Sequence, residues 1–192
     1  MATNRSDEQL FAKASASCAG LINRIALSHE ADASLRRELI QDIMLAIWVA
    51  LPHYRGEASI KTFVASIARK RCISHVSRQA REPRRVELPG DLESGGPAPD
   101  EAALNNDRKR LLVESIQRLP IPQREAIVLC FEGFSYEETA SILGISVNAA
   151  MLRCKRAKAK LTAIMEGRGA PGLAAVSFVG ESVGVEEGLG IA

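Results

Sequence analysis

The side chains in this sequence with chemistry to offer are cationic rather than nucleophilic. From Ser146 to Leu161 the chain reads SVNAAMLRCKRAKAKL, in which Arg153, Lys155, Arg156, Lys158 and Lys160 supply five positive charges with no acid among them. Val147, Ala150, Cys154, Ala157 and Leu161 recur at helical spacing and predict one apolar stripe on the same helix. A helix with one face for a core and the remainder cationic suits phosphate-rich DNA, whose affinity for proteins is dominated by charge neutralisation. Immediately upstream, SYEETASILGIS reads as a partner helix. Ser135 and Glu138 form an S-x-x-E capping box, so a helix should begin at Tyr136. Tyr136, Thr139, Ala140 and Leu143 share its apolar face, Gly144 supplies the left-handed residue that ends it, Ile145 plugs the turn, and Ser146 caps the next helix. Two short helices with a tight turn between them, the second one basic, are the outline of a DNA-reading helix-turn-helix. An ordinary surface hairpin with a solvated basic face has the same outline.

No glycine-rich phosphate loop, catalytic triad or metal-binding motif is present, so neither an enzyme nor a cofactor or metal is expected. Cys18, Cys72, Cys130 and Cys154 are scattered without a C-x-x-C, which predicts free buried thiols rather than a metal site or a disulfide framework. No transmembrane span is evident, and MATNRSDEQ lacks the apolar core of a signal peptide, so a cytoplasmic location is expected. The net charge of +2 is too small to argue for nucleic acid by itself. Its distribution argues better, since His53 to Arg85 holds nine basic residues against two acids.

The elements that must position these groups are helical. Leu10, Phe11, Ala14, Cys18, Leu21, Ile22, Ile25 and Ala26 predict an amphipathic helix or a broken pair from about Asp7 to His29. A second helix should run from Ser34 to Leu51, with rows Leu35, Leu39, Ile43, Ile47 and Ile40, Met44, Trp48, Leu51 buried, and with Arg37, Glu38, Gln41 and Asp42 opposite. Pro52 ends it, HYRGEAS forms a loop around Gly56, and Ser59 caps a third helix from Ile60. There Tyr54 and Phe63 sit beside a dense basic surface, an arrangement suited to stacking unpaired bases while cations hold the backbone; plain core packing accounts for Phe63 equally well. Prolines and glycines from Arg81 to Asp100 predict a flexible tether, and helical spacing resumes near Ala102 with Leu104, Leu111, Leu112, Ile116 and Leu119. Gln123 to Phe131 should form a buried helix ended by Gly133, and the seven glycines after Met165 predict a disordered or conditionally ordered tail.

Together the two halves resemble the extracytoplasmic-function sigma factors, small members of the sigma-70 family of RNA polymerase specificity subunits. ELIQDIMLAIWVALPHYRGEASIKTFVASIARKRCISHV is similar to that family's first domain and RLPIPQREAIVLCFEGFSYEETASILGIS to its second, in the right order and separation. The resemblance implies an all-α chain of two small helical domains joined by a flexible linker, the second a helix-turn-helix domain. The divisions it implies are 7–82 for the first domain, 83–104 for the linker, 105–165 for the second and 166–192 for the tail. It also implies that Glu38, Gln41 and Asp42 meet the clamp helices of the largest subunit of the RNA polymerase core, and that Tyr54, Arg55, Phe63, Arg69 and Lys70 recognise and melt the −10 promoter element. Asn148, Ala149, Met151, Leu152, Arg153, Lys155 and Arg156 would read the −35 element of promoter DNA, and an anti-sigma factor is a further partner the resemblance admits.

The chain departs from the family pattern at Ala149, Met151 and Leu152, which are apolar where polar or basic residues are common, and at Lys70, which replaces a common Asn. A stand-alone helix-turn-helix regulator is the alternative reading, and an interaction protein that never touches DNA a third. When free, the two domains are expected to pack together and hide both the DNA-binding and the polymerase-binding surfaces.

Overall fold

The computed structural model describes residues 2–81 and 100–167, with side chains for 8–81 and 109–167. All regular elements among them are helical: α1 (Ala2–His29), α2 (Ala33–Ala50), α3 (Ile60–Gln79), α4 (Asp100–Gln117), α5 (Ile121–Phe131), α6 (Tyr136–Leu143) and α7 (Val147–Glu166), with a 3-10 turn at Leu51–His53. The fold is all-α, with α1 to α3 forming one helical cluster and α4 to α7 the other.

Local chemistry explains where the helices start and stop. Asp32 caps α2 by accepting from the amides of Ser34 and Leu35, each at 2.8 Å. Ser59 caps α3 through the Thr62 amide at 3.0 Å, after a loop in which Gly56 adopts φ +76°. Helix α1 is continuous rather than broken, there being no proline to interrupt it. Helix α5 begins two residues before Gln123, because a proline such as Pro122 is tolerated in a first turn, where its missing N–H is not needed. Helix α4 begins at Asp100, inside the stretch expected to be linker. Helix α7 takes in Glu166 and is capped by Gly167, the first two residues of the expected tail; the rest of the tail and of the expected tether lie outside the described residues.

One hydrophobic core runs through both clusters, from Leu21, Ile22, Ile43 and Val64 to Ile127, Leu143 and Leu161. Helix α1 packs on α2 and α3 and also touches α4 and α5, while α3 touches α6. The predicted rows of α2 are buried at Leu39, Ile43 and Ile47, whereas Trp48 lies at the rim, its ring edge-on to Phe11 at 5.1 Å. Tyr136 and Val147, expected on apolar faces, are 36% and 40% exposed, and each is the first residue of its helix.

The cysteines depart from expectation. Cys130 on α5 and Cys154 on α7 are brought together as a facing pair, their Cα atoms 7.1 Å apart. Spacing along the chain does not report this pairing, which arises because α5 and α7 pack side by side. Cys18 and Cys72 are free and buried as expected, and burial pushes the Cys72 thiol up to about 12, with Glu125 adding to the shift.

Candidate nucleic-acid interface

The helix-turn-helix is built by its capping residues. The Glu138 amide donates to Ser135 Oγ at 3.1 Å and the Ser135 amide donates to Glu138 Oε2 at 2.9 Å, closing the capping box. Gly144 adopts φ +65° and turns the chain, and Ser146 Oγ then accepts from the Ala149 amide at 3.3 Å. Ala150, Cys154, Ala157 and Leu161 are wholly buried and seat α7 on α5 and α6. The opposite side faces solvent. Asn148, Leu152, Lys155 and Arg156 are exposed along it, and Ala149, Met151 and Arg153 are half-buried at its margins.

On the other cluster, Glu38, Gln41 and Asp42 lie exposed on α2, with Asp42 Oδ2 3.6 Å from the Arg78 guanidinium. Three apolar side chains that the sequence reading did not assign to this face accompany them: Leu45 is 62% exposed, Val49 63% and Trp48 38%. A signal for the first two was available, since Leu45 follows Gln41 by four residues and Val49 follows Leu45 by four, and both fall outside the buried rows.

The residues expected at the −10 element divide. The Tyr54 hydroxyl donates to the Ala58 carbonyl at 2.6 Å, and its ring lies 4.9 Å from that of Phe63, tilted by 49°. Phe63 is half-buried against the core, so it packs inward on one side and borders the loop on the other. Arg55 and Lys70 are exposed. Arg69 instead points to the second cluster, its Nε donating to Glu125 Oε1 at 2.7 Å.

That ion pair belongs to a polar seam between the clusters. Arg24 donates to Glu132 through both Nε and Nη2, the latter at 2.6 Å, and this bonding raises the Arg24 pKa. Lys61 Nζ donates to the Glu132 carbonyl and sits 4.5 Å from the centre of the Phe134 ring. Thr62 Oγ1 donates to Glu138 Oε1 at 3.3 Å and Gln117 Nε2 donates to the Leu27 carbonyl at 2.8 Å. Arg124 gathers the carbonyls of Ser28, Gln117 and Leu119 at the ends of α1 and α4, and burial lowers its pKa. Beside this seam lies a cavity of about 560 Å³ lined by Cys18, Leu21, Leu27, Leu112, Ile116 and Phe131, so the two clusters meet over polar bridges as well as apolar contacts.

The clusters thus pack together, but they do not hide every surface. The α2 face and the outer side of α7 remain exposed, whereas Arg69 and Lys61 are engaged at the seam. Among the described residues no group of His, Cys, Asp or Glu is placed to hold a metal ion, and no helix is long and apolar enough to cross a membrane.

Comparison with known proteins bears on these surfaces. The family model for sigma-70 region 2 matches residues 16–82 and that for sigma-70 region 4 matches residues 109–161. The RNA polymerase sigma factor SigZ of Bacillus subtilis is 29% identical over 143 residues, covering 73% of this chain and 79% of the relative. The ECF RNA polymerase sigma-E factor of Escherichia coli is 27% identical over 131 residues, covering 63% of this chain and 69% of the relative. Among solved structures, CnrH in complex with the cytosolic domain of CnrY superposes with a TM-score of 0.62 at 21% identity, over 86% of this chain and 95% of that one. The sigma factor RpoE of Bartonella quintana, in complex with the anti-sigma factor NepR, superposes with a TM-score of 0.64 at 20% identity, over 81% and 96%.

Proposed function

Because this chain belongs to the sigma-70 family, in its extracytoplasmic-function group, we propose a division of labour among its three surfaces. The protein is an RNA polymerase sigma factor, not an enzyme: it directs the polymerase to promoters. Within that function, the α2 face with Glu38, Gln41, Asp42, Leu45 and Val49 docks on the clamp helices of the polymerase. The HYRGEAS loop and α3 capture the −10 element through Tyr54, Arg55, Phe63, Arg69 and Lys70, and the outer side of α7 reads the −35 element. The observation that carries the reading is the order of the region 2 and region 4 matches along one chain, over residues 16–82 and 109–161.

The physics supports this arrangement. Opening a duplex gives up stacking worth about 1 to 2 kcal/mol per base step, more than a small basic domain can offset without flipped-base capture and a rigid polymerase as platform. Two weak DNA contacts held at fixed separation then reinforce one another through effective concentration. The polymerase also places the working protein in the cytoplasm. An anti-sigma factor is a further proposed partner, suggested by the superposition on two chains solved in complex with other proteins, one of them named an anti-sigma factor.

Run-off transcription with purified core polymerase on genomic fragments tests the reading. Discrete new starts that depend on this protein are the expected result. If the protein binds duplex DNA by itself, adds no starts and has no affinity for core polymerase, it acts as an independent regulator and the proposal fails.

A further inference from the structure

The outer side of α7 carries a side chain that the basic character of the helix does not explain. Leu152 is 45% exposed and lies between Asn148 one turn before it and Lys155 and Arg156 one turn after it, all three exposed. At 100° per residue these four positions fall within one quadrant or so of the helix, diametrically opposite the buried stripe of Ala150, Cys154, Ala157 and Leu161. A single exposed leucine on a protein surface is ordinary. This one occupies the middle of the face that a helix-turn-helix turns to base edges, while its neighbours Arg153, Lys155 and Arg156 have the reach and charge for the flanking phosphates.

A leucine in that position neither donates nor accepts a hydrogen bond. Set against guanine it would strip water from the N7 and O6 acceptors without replacing the lost bonds, and against cytosine it would do the same to the N4 donor. The one apolar group that B-DNA presents in the major groove is the C5 methyl of thymine. One turn earlier, the Asn148 carboxamide combines a donor and an acceptor, the pair that adenine N6 and N7 require. On the reading that α7 binds the −35 element, we infer that Leu152 is a specificity residue that reads a thymine methyl there, with Asn148 reading an adenine within a base pair or two. Half-buried Met151 and Ala149 border the same spot and extend its apolar character. The element is therefore discriminated in part by hydrophobic contact rather than by guanidinium pairing to guanine.

The test uses holoenzyme assembled from core polymerase and the full chain. The probe is a genomic promoter fragment from which that holoenzyme starts transcription, prepared with thymine or with deoxyuridine throughout the −35 segment. Deoxyuridine removes only the methyl group and leaves pairing unchanged. The expected result is that the wild-type holoenzyme binds the thymine duplex about fourfold more tightly for each methyl buried against an aliphatic side chain, and that Leu152→Ala removes the preference. Because Leu152 is exposed, this variant should keep its fold, which circular dichroism and salt-sensitive binding to non-promoter duplex verify. Equal affinity for the two duplexes, or a full preference retained by Leu152→Ala, overturns the inference and leaves the sigma-factor assignment standing. Absence of any footprint on the −35 segment overturns both the inference and the role assigned to α7.

Discussion

Glu125→Gln is the substitution that probes the seam most directly. Arg69 Nε lies 2.7 Å from Glu125 Oε1, with the Glu125 side chain only 4% exposed and that of Arg69 25% exposed. Removing one partner of a fully buried ion pair costs about 3 to 5 kcal/mol, and exposed pairs contribute about 0 to 1. A pair with one buried and one quarter-exposed member falls between, at about 2 kcal/mol, which is about 30-fold in an equilibrium constant. On the −10 role proposed for Arg69, a phosphate must compete with Glu125 for it, so the packed arrangement should lower the affinity of the free protein for DNA by the fraction of molecules in which Arg69 is released. Glu125→Gln should therefore lower stability in urea by about 2 kcal/mol and raise the affinity of the free chain for a single-stranded oligonucleotide, by up to about 30-fold, in fluorescence anisotropy. The double variant Arg69→Met with Glu125→Leu should recover most of the stability, since apolar replacement of a buried pair is close to neutral, while showing no gain in DNA binding. A stability loss in Glu125→Gln below about 0.5 kcal/mol, or an affinity unchanged while stability falls, would refute the reasoning.

Other outcomes follow from the same geometry. Leu45→Arg, at a position 62% exposed, should leave the melting temperature within a degree or two and abolish binding to core polymerase, measured by size-exclusion co-elution; retained binding would remove the α2 face from the interface. Ser135→Ala breaks the capping box and should cost about 1 kcal/mol in urea denaturation, with a matching loss of −35 protection only near the unfolding midpoint. His29 is held neutral by burial, although its Nδ1 bond to the Ile25 carbonyl and nearby Glu125 pull the other way, and Arg124 and Arg69 reinforce the lowering. Its folded pKa lies below the unfolded value, so the unfolded chain binds the extra proton and stability falls as pH drops through and below about 6.5. His29→Gln should flatten that part of the stability-against-pH curve, and an unchanged slope would show that His29 does not contribute to it.

Much of this molecule is legible in the linear order of its residues, because the relevant interactions are local. Capping boxes, the Gly144 turn and the Ser59 cap are satisfied within three or four residues, so Ser135, Glu138 and Ser146 announce the helix-turn-helix without reference to the rest of the chain. The buried rows of α2 and α7 follow from periodicity for the same reason, and family membership followed from motifs in order. Tertiary structure decided what depends on residues far apart in the chain. Arg69 and Glu125, 56 positions apart, meet only because α3 of one cluster packs beside the other, and the Cys130–Cys154 pairing exists only because α5 and α7 lie side by side. Exposure at helix starts was likewise a tertiary outcome: Tyr136 and Val147 have the composition of core residues, yet they are 36% and 40% exposed. The amino-acid order specifies which faces are apolar and which are charged, since that is a property of each helix. Which charged face is left for DNA, and which is engaged by the protein's own carboxylates, depends on how the helices are stacked.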